Sequence, residues 1–190
     1  MAFLISAIFS PYVTATVFIV LASYKYAANM GEFLPWILIF LFFATILPGL
    51  YIFWLRETGK IKDIHMADRS ERKWPFMLAG ISSAFGALLL YEVGTAHTIV
   101  ALAVTYAVIA VLVAIITLFW KISVHTAMFA SVVTVAAIIF GPVYAWFYLI
   151  LIPLAWSRIF RKRHTIWQTT AGAVMAVVVT VLVFWAFGYL

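Results

Sequence analysis

The sequence predicts an all-α protein, a polytopic transmembrane bundle of six to seven helices. Two observations carry that prediction. Of 190 residues, 67% are hydrophobic and only 9% are charged, whereas ordinary soluble domains run at about 45–50% and about 25%. A soluble core of this size could not hide so much apolar surface. The scarce charges are also bunched, leaving uncharged runs close to the roughly 20 residues a helix needs to cross a bilayer core of about 30 Å. Disorder, collagen-like repeats and a secreted disulfide scaffold are excluded. Cysteine is absent, which removes thiolate chemistry, zinc–cysteine sites and disulfides. The net charge of +6 comes from twelve Lys and Arg set between apolar spans. A phosphate-tracking face for nucleic acid would need a folded soluble surface, and the sequence provides none.

The first span runs from about Ala2 to Ser23, with a kink expected at Pro11. It begins Met-Ala-Phe-Leu-Ile without a basic n-region, so a retained helix is expected rather than a cleaved signal. The second covers about Leu34 to Leu55, and the polar segment Arg56 to Trp74 follows. Pro75 opens a third span to about Tyr91, which suits proline at a helix start. Ala96 to Phe119 gives the fourth. No Asp, Glu, Lys or Arg occurs between Lys121 and Arg158, and Gly141-Pro142 interrupts that stretch, predicting short helices at about 123–140 and 142–157. The 36 intervening residues reach roughly 54 Å as helix, slightly less than two crossings. Either the bilayer thins there, or the polar helix ends lie below the headgroups in a pocket inside the protein. The last span is about 165–188. With no linker in sight, residues 1–190 are expected to form a single transmembrane domain.

The polar segments around 56–74, 119–125 and 157–164 follow the second, fourth and sixth crossings and so emerge on one face. That face carries eleven of the twelve basic residues, with Lys25 the exception. The positive-inside pattern places it, with the N-terminus, in the cytoplasm. Trp36, Trp54, Trp74, Trp120, Trp156, Trp167 and Trp185 fall near expected interfaces, where indole rings concentrate.

Three polar clusters share this face. The first is Lys60-Ile-Lys62-Asp63-Ile-His65-Met-Ala-Asp68-Arg69-Ser-Glu71-Arg72-Lys73-Trp-Pro75. The second, Lys121-Ile-Ser123-Val-His125-Thr126, opens the fifth span. The third, Ser157-Arg158-Ile-Phe-Arg161-Lys162-Arg163-His164-Thr-Ile-Trp-Gln168, opens the last. Taken singly they read as a solvated loop, a capping histidine and basic anchors. Together they supply two histidines, an arginine in an apolar helix end and a Lys/Arg pair, the equipment for phosphoryl chemistry without a metal or other cofactor. Arg and Lys neutralise equatorial phosphate oxygens, Arg in bidentate fashion. One neutral imidazole attacks phosphorus and a second protonates the departing oxygen. Helix N-termini at Ser123 and near His164 add backbone donors for an anion.

These clusters resemble the motifs of the type 2 phosphatidic acid phosphatase superfamily, in the family's order and over roughly residues 60–185. Ser157-Arg158, five residues and then His164 matches Ser-Arg-x5-His-x3-Asp, with Gln168 in place of the Asp. Ser123-Val-His125 looks like Pro-Ser-Gly-His, with Ile122 and Val124 for Pro and Gly. Lys62, six residues and then Arg69 is similar to Lys-x6-Arg-Pro, with Ser70 for Pro. The resemblance implies a phosphatase-like core at about 56–188, a phosphohistidine on His164, and His125 as acid and then base. It implies that Arg158, Arg69 and Lys62 hold the phosphate with help from Ser123. Lys121 and Arg72, the latter one turn beyond Arg69, are further candidate clamps. Gln168 can accept the Nδ1–H bond of His164 and fix its tautomer, but it cannot stabilise positive charge as a carboxylate does. The expected substrate is an amphiphile arriving from the bilayer, a lipid or isoprenoid phosphate or diphosphate.

Two rival classes are weaker. Asp63, Asp68 and Arg72 echo part of one aspartate-rich motif of intramembrane prenyltransferases. Glu32, Glu57, Glu71 and Glu92 cannot supply the second. A non-enzymatic channel or small transporter would call for charges inside spans, where the sequence has essentially none, while Gln168 leaves an inactive scaffold descended from a phosphatase as a further alternative.

Overall fold

The computed structural model describes residues 1–64, 66 and 68–190, so His65 of the first polar cluster lies outside the described residues. Among the described residues every regular element is helical and no strand occurs. The α-helices are α1 (Ala2–Ile8), α2 (Pro11–Tyr26), α3 (Met30–Leu41), α4 (Leu47–Glu57) and α5 (Lys73–Glu92), followed by α6 (His97–Phe119), α7 (Val124–Phe140), α8 (Leu151–Phe160) and α9 (Ile166–Ala186). A π-helical turn, Phe42–Ile46, joins α3 to α4, and 3-10 segments at Ser70–Arg72 and Pro142–Ile150 lead into α5 and α8. Among the described residues five helical stretches are long and apolar enough to cross a membrane, and the bent pair α1–α2 makes a sixth. The chain is an all-α, multi-pass membrane protein.

Lipid-facing surfaces show an inside-out pattern. Ile81, Phe85 and Leu88 on α5, and Val174, Val178, Leu182 and Trp185 on α9, are exposed at helical spacing. The buried side of α5 instead carries Ala79, Ser82, Ser83, Gly86 and Ala87, small residues that let helix backbones approach.

The breaks have local causes. Between α1 and α2 the chain bends by 41°, more than a kink within one helix. Pro11 lacks the N–H that would continue the ladder, and its ring disfavours helical geometry at Ser10. Ser10 Oγ then accepts from Val13 N at 3.3 Å and restarts the helix. The α3–α4 span holds its π turn in place through Ser82, whose hydroxyl donates to the Phe43 carbonyl.

Gly141 ends α7 at φ +122°, a conformation open to glycine. Pro142 then starts nine residues of 3-10 helix rather than the α-helix expected from the sequence. The tighter winding rises about 2.0 Å per residue against about 1.5 Å for α, so Pro142–Phe160 reaches roughly 33 Å. It is long enough to span, while α7, with 17 residues, covers only about 25 Å. Threefold winding aligns residues three apart, and the Tyr144 and Phe147 rings lie 6.1 Å from centre to centre.

Two compact units emerge, Met1–Phe18 with Lys121–Leu190, and Ile19–Trp120. In the second, α5 packs along α6, and α3, the π turn and α4 lie against α5. Ile52, Leu55, Ile61 and Met66 form a small core there with Tyr51 and Phe76. In the first unit α7 packs along α9, the 3-10 segment and α8 lie against α7, and α1 lies against α8. The hydroxyl pair Ser131–Thr180 (2.8 Å) is buried within it and the pair Thr134–Tyr148 (2.6 Å) is partly buried. At Gly172 α9 approaches the start of α7 closely, and a Cβ there would sit 2.6 Å from the Ser123 carbonyl oxygen and 3.0 Å from Thr126 Oγ1. Any side chain there would push apart the two helix starts that carry His125 and Gln168.

Candidate functional site

The Ser-Arg-x5-His segment folds into one continuous turn at the end of α8. Arg161 N donates to Ser157 O at 3.2 Å and Lys162 N to Ile159 O at 2.8 Å. Lys162 takes φ +53°, the left-handed step that commonly terminates a helix. That step brings the next two N–H groups back, and Arg163 N (3.0 Å) and His164 N (3.4 Å) both donate to the Arg158 carbonyl. Arg158 is 5% exposed and His164 is 7% exposed. Burying two ionisable side chains in a membrane protein is costly, which makes the turn the candidate site.

Thr165 begins α9 with a reciprocal cap. Its Oγ1 accepts from Gln168 N at 3.3 Å, while Gln168 Oε1 accepts from Thr165 N at 3.2 Å. The same Oε1 lies 3.2 Å from His164 Nδ1. Because a backbone N–H must donate to it, this amide atom is the oxygen, and His164 Nδ1 must carry its hydrogen. In the neutral ring this places the imidazole lone pair on Nε2.

The start of α7 is fastened to the same turn. Ser123 is buried and caps α7, accepting from Thr126 N at 3.5 Å, and its own N–H donates to the Gln168 carbonyl at 3.1 Å. Thr126 Oγ1 donates to the Thr169 carbonyl at 2.8 Å. His125, half-buried, is the second residue of α7, and Lys121, also half-buried, precedes that helix. Two helix N-termini therefore start side by side, each presenting backbone N–H donors and a positive dipole end.

Charge in this unit is one-sided. It contains Lys121, Arg158, Arg161, Lys162 and Arg163 and no Asp or Glu, since all six acidic residues fall between Glu32 and Glu92. The side-chain charge that this unit contributes is therefore entirely basic, the sign that attracts anions.

The remaining expected phosphate ligands belong to the other unit and hold its polar loop. Lys62 is exposed, and its backbone N–H donates to Glu71 Oε1 at 3.0 Å. Arg69, also exposed, donates from Nη1 to the Phe119 carbonyl at 2.6 Å and the Leu118 carbonyl at 3.4 Å, capping the C-terminus of α6. Arg72 is buried and donates from Nε to the Met66 carbonyl at 2.8 Å. Asp68 Oδ1 accepts from Ser70 N at 2.9 Å. That backbone bond, then the Ser70 hydroxyl, and then the charges of Lys62 and Arg69 hold the Asp68 carboxyl below its usual range. Local duties likewise occupy Glu32, which accepts from Ala28 N at 2.9 Å, and Glu57, 3.1 Å from Arg56. Among the described residues no three His, Asp or Glu gather into a metal-ligand group.

Hydrogen bonds thus connect Arg158, His164, Gln168 and Ser123 within one unit, with His125 and Lys121 at the head of the same α7. Lys62, Arg69 and Arg72 share the polar loop of the other. Sequence reasoning missed Ser6, whose hydroxyl accepts from Arg158 Nη1. A lone serine in an apolar run gives no signal of such a role. It also missed Thr126 and Gly172, which set the α7–α9 approach. No protein-family model, curated protein or solved structure matches this chain.

Proposed function

We propose that this protein is an integral-membrane phosphatase that hydrolyses a lipid or isoprenoid phosphate or diphosphate through a phosphohistidine, in the manner of type 2 phosphatidic acid phosphatases. One observation carries the reading. A single helix-ending turn fastens buried Arg158 to buried His164, and Gln168 holds Nδ1 so that Nε2 bears the lone pair. In the proposed reaction Nε2 attacks phosphorus as the bond to the leaving oxygen breaks, and His125 delivers the proton that oxygen needs. Arg158 and the N–H groups opening α7 and α9 balance charge on the phosphoryl oxygens. Water, deprotonated by His125, then cleaves the P–N bond and regenerates the neutral imidazole. Gln168 orients His164 without offsetting the charge gained on phosphorylation, which makes a slower enzyme than one with a carboxylate there.

A substrate with an apolar tail fits a site in a chain whose outer surface is apolar. The purified protein is expected to release phosphate in EDTA from at least one member of a panel of lipid and isoprenoid phosphates. His125→Ala is expected to lower that rate by about 10²- to 10⁴-fold. Strict dependence on magnesium would contradict the reading and favour the prenyltransferase class, whereas flux without phosphate release would favour a transporter.

The basic run Arg161 to Arg163 argues for a cytoplasmic location of this turn. A single cysteine replacing exposed Lys162 is expected to resist an impermeant thiol reagent in intact cells and to react after permeabilisation. Labelling in intact cells would reverse the orientation.

A further inference from the structure

We infer that Ser6 is a positioning residue for Arg158, so that the short N-terminal helix α1 forms part of the anion site. The inference rests on the phosphatase reading for its purpose and on geometry for its substance. Ser6 is 2% exposed, and its hydroxyl accepts a hydrogen bond from Arg158 Nη1 across 152 positions of sequence. α1 has only seven residues, and the break before Pro11 lets it depart from the direction of α2 and lie against α8. Its neighbouring contacts fix it there. The Phe9 ring meets Phe129 edge-on at 5.1 Å, and Phe3 lies under the Arg161 guanidinium at 5.1 Å. Phe3, Ser6 and Phe9 recur every third residue, so the hydroxyl is held between two aromatic anchors.

The chemistry of the acceptor is informative. A carboxylate facing Arg158 would orient it but cancel the charge needed for a phosphate. A hydroxyl supplies direction without adding a negative charge, so this contact does not itself neutralise the guanidinium. Phe3 does the same for Arg161, since a ring face attracts a cation without neutralising it.

The test uses the full chain in detergent micelles with two readouts. Phenylglyoxal modification of Arg158, followed by peptide mass spectrometry, reports its packing independently of turnover. Initial rates on dioleoyl phosphatidic acid, or on whichever panel phosphate the parent protein hydrolyses, report its use. Ser6→Ala is expected to raise the modification rate and KM by about tenfold, the scale of a lost hydrogen bond to a charged group, with kcat within about twofold. Ser6→Thr, which keeps the hydroxyl, is expected to restore both. A merely structural role for Ser6 would reduce the yield of folded protein while leaving KM and Arg158 reactivity unchanged, and that result would overturn the inference. Absence of phosphate release by the parent protein across the panel would overturn the phosphatase reading instead, with the modification readout still deciding whether Ser6 sets Arg158.

Discussion

His164→Ala is expected to lower phosphate release by on the order of 10⁴-fold or more, since removing a nucleophile removes the reaction path itself. The variant should still fold. The turn is built from backbone groups, the bonds of Arg163 N and His164 N to the Arg158 carbonyl, and these survive the change. Gln168 Oε1 also keeps its second donor, Thr165 N, so the cap of α9 persists. The side chain itself fills a buried position, and its truncation costs about 1–3 kcal/mol, the usual range for a single substitution. Thermal unfolding in detergent, run beside the phosphate assay, separates the two effects. A folded variant that retained substantial activity would move the nucleophile elsewhere.

Arg158→Ala is expected to cost about 10²- to 10³-fold in kcat/KM, the scale found when a preorganised donor to a developing oxyanion is removed. Arg158→Lys is expected to recover little of it. A guanidinium is planar and can present parallel N–H groups to a phosphate, whereas an ammonium is a point charge on a flexible stem. The carbonyl that receives Arg163 N and His164 N belongs to the backbone, so both variants retain the turn. The useful comparison is therefore of kinetic constants at matched thermal stability. Full recovery by lysine would mean that Arg158 acts only through net charge, and the fork geometry proposed for it would be wrong.

Much of the fold follows from local rules. The span limits are set by where charge stops, and the breaks at Pro11 and Gly141-Pro142 by residues that cannot continue a helix. Part of the site is also local. His164 and Gln168 are four residues apart, a spacing that puts both side chains on one side of a helix start, and Thr165 with Gln168 forms a cap that hydrogen-bonding residue types announce. Other features depend on packing and were not readable. The π turn at Phe42–Ile46 and the 3-10 winding after Pro142 replace one hydrogen-bond register with another in segments whose composition suits either. Contacts between distant positions, such as Ser6 with Arg158 and Arg69 with the Phe119 carbonyl, have no periodic signature. The Arg69 contact also shows why a spacing such as Lys-x6-Arg is ambiguous by itself, because capping a helix C-terminus calls for the same residue type as holding a phosphate.

Trapping the covalent intermediate tests the central claim most directly. Purified protein in EDTA is mixed for a short time with a 32P-labelled lipid phosphate from the panel, quenched in alkali and digested. The account predicts label on the peptide containing His164, stable to base and lost in acid as a phosphoramidate is, and no label in His164→Ala. Release of phosphate with no labelled peptide, or label that persists after His164 is replaced, would contradict it.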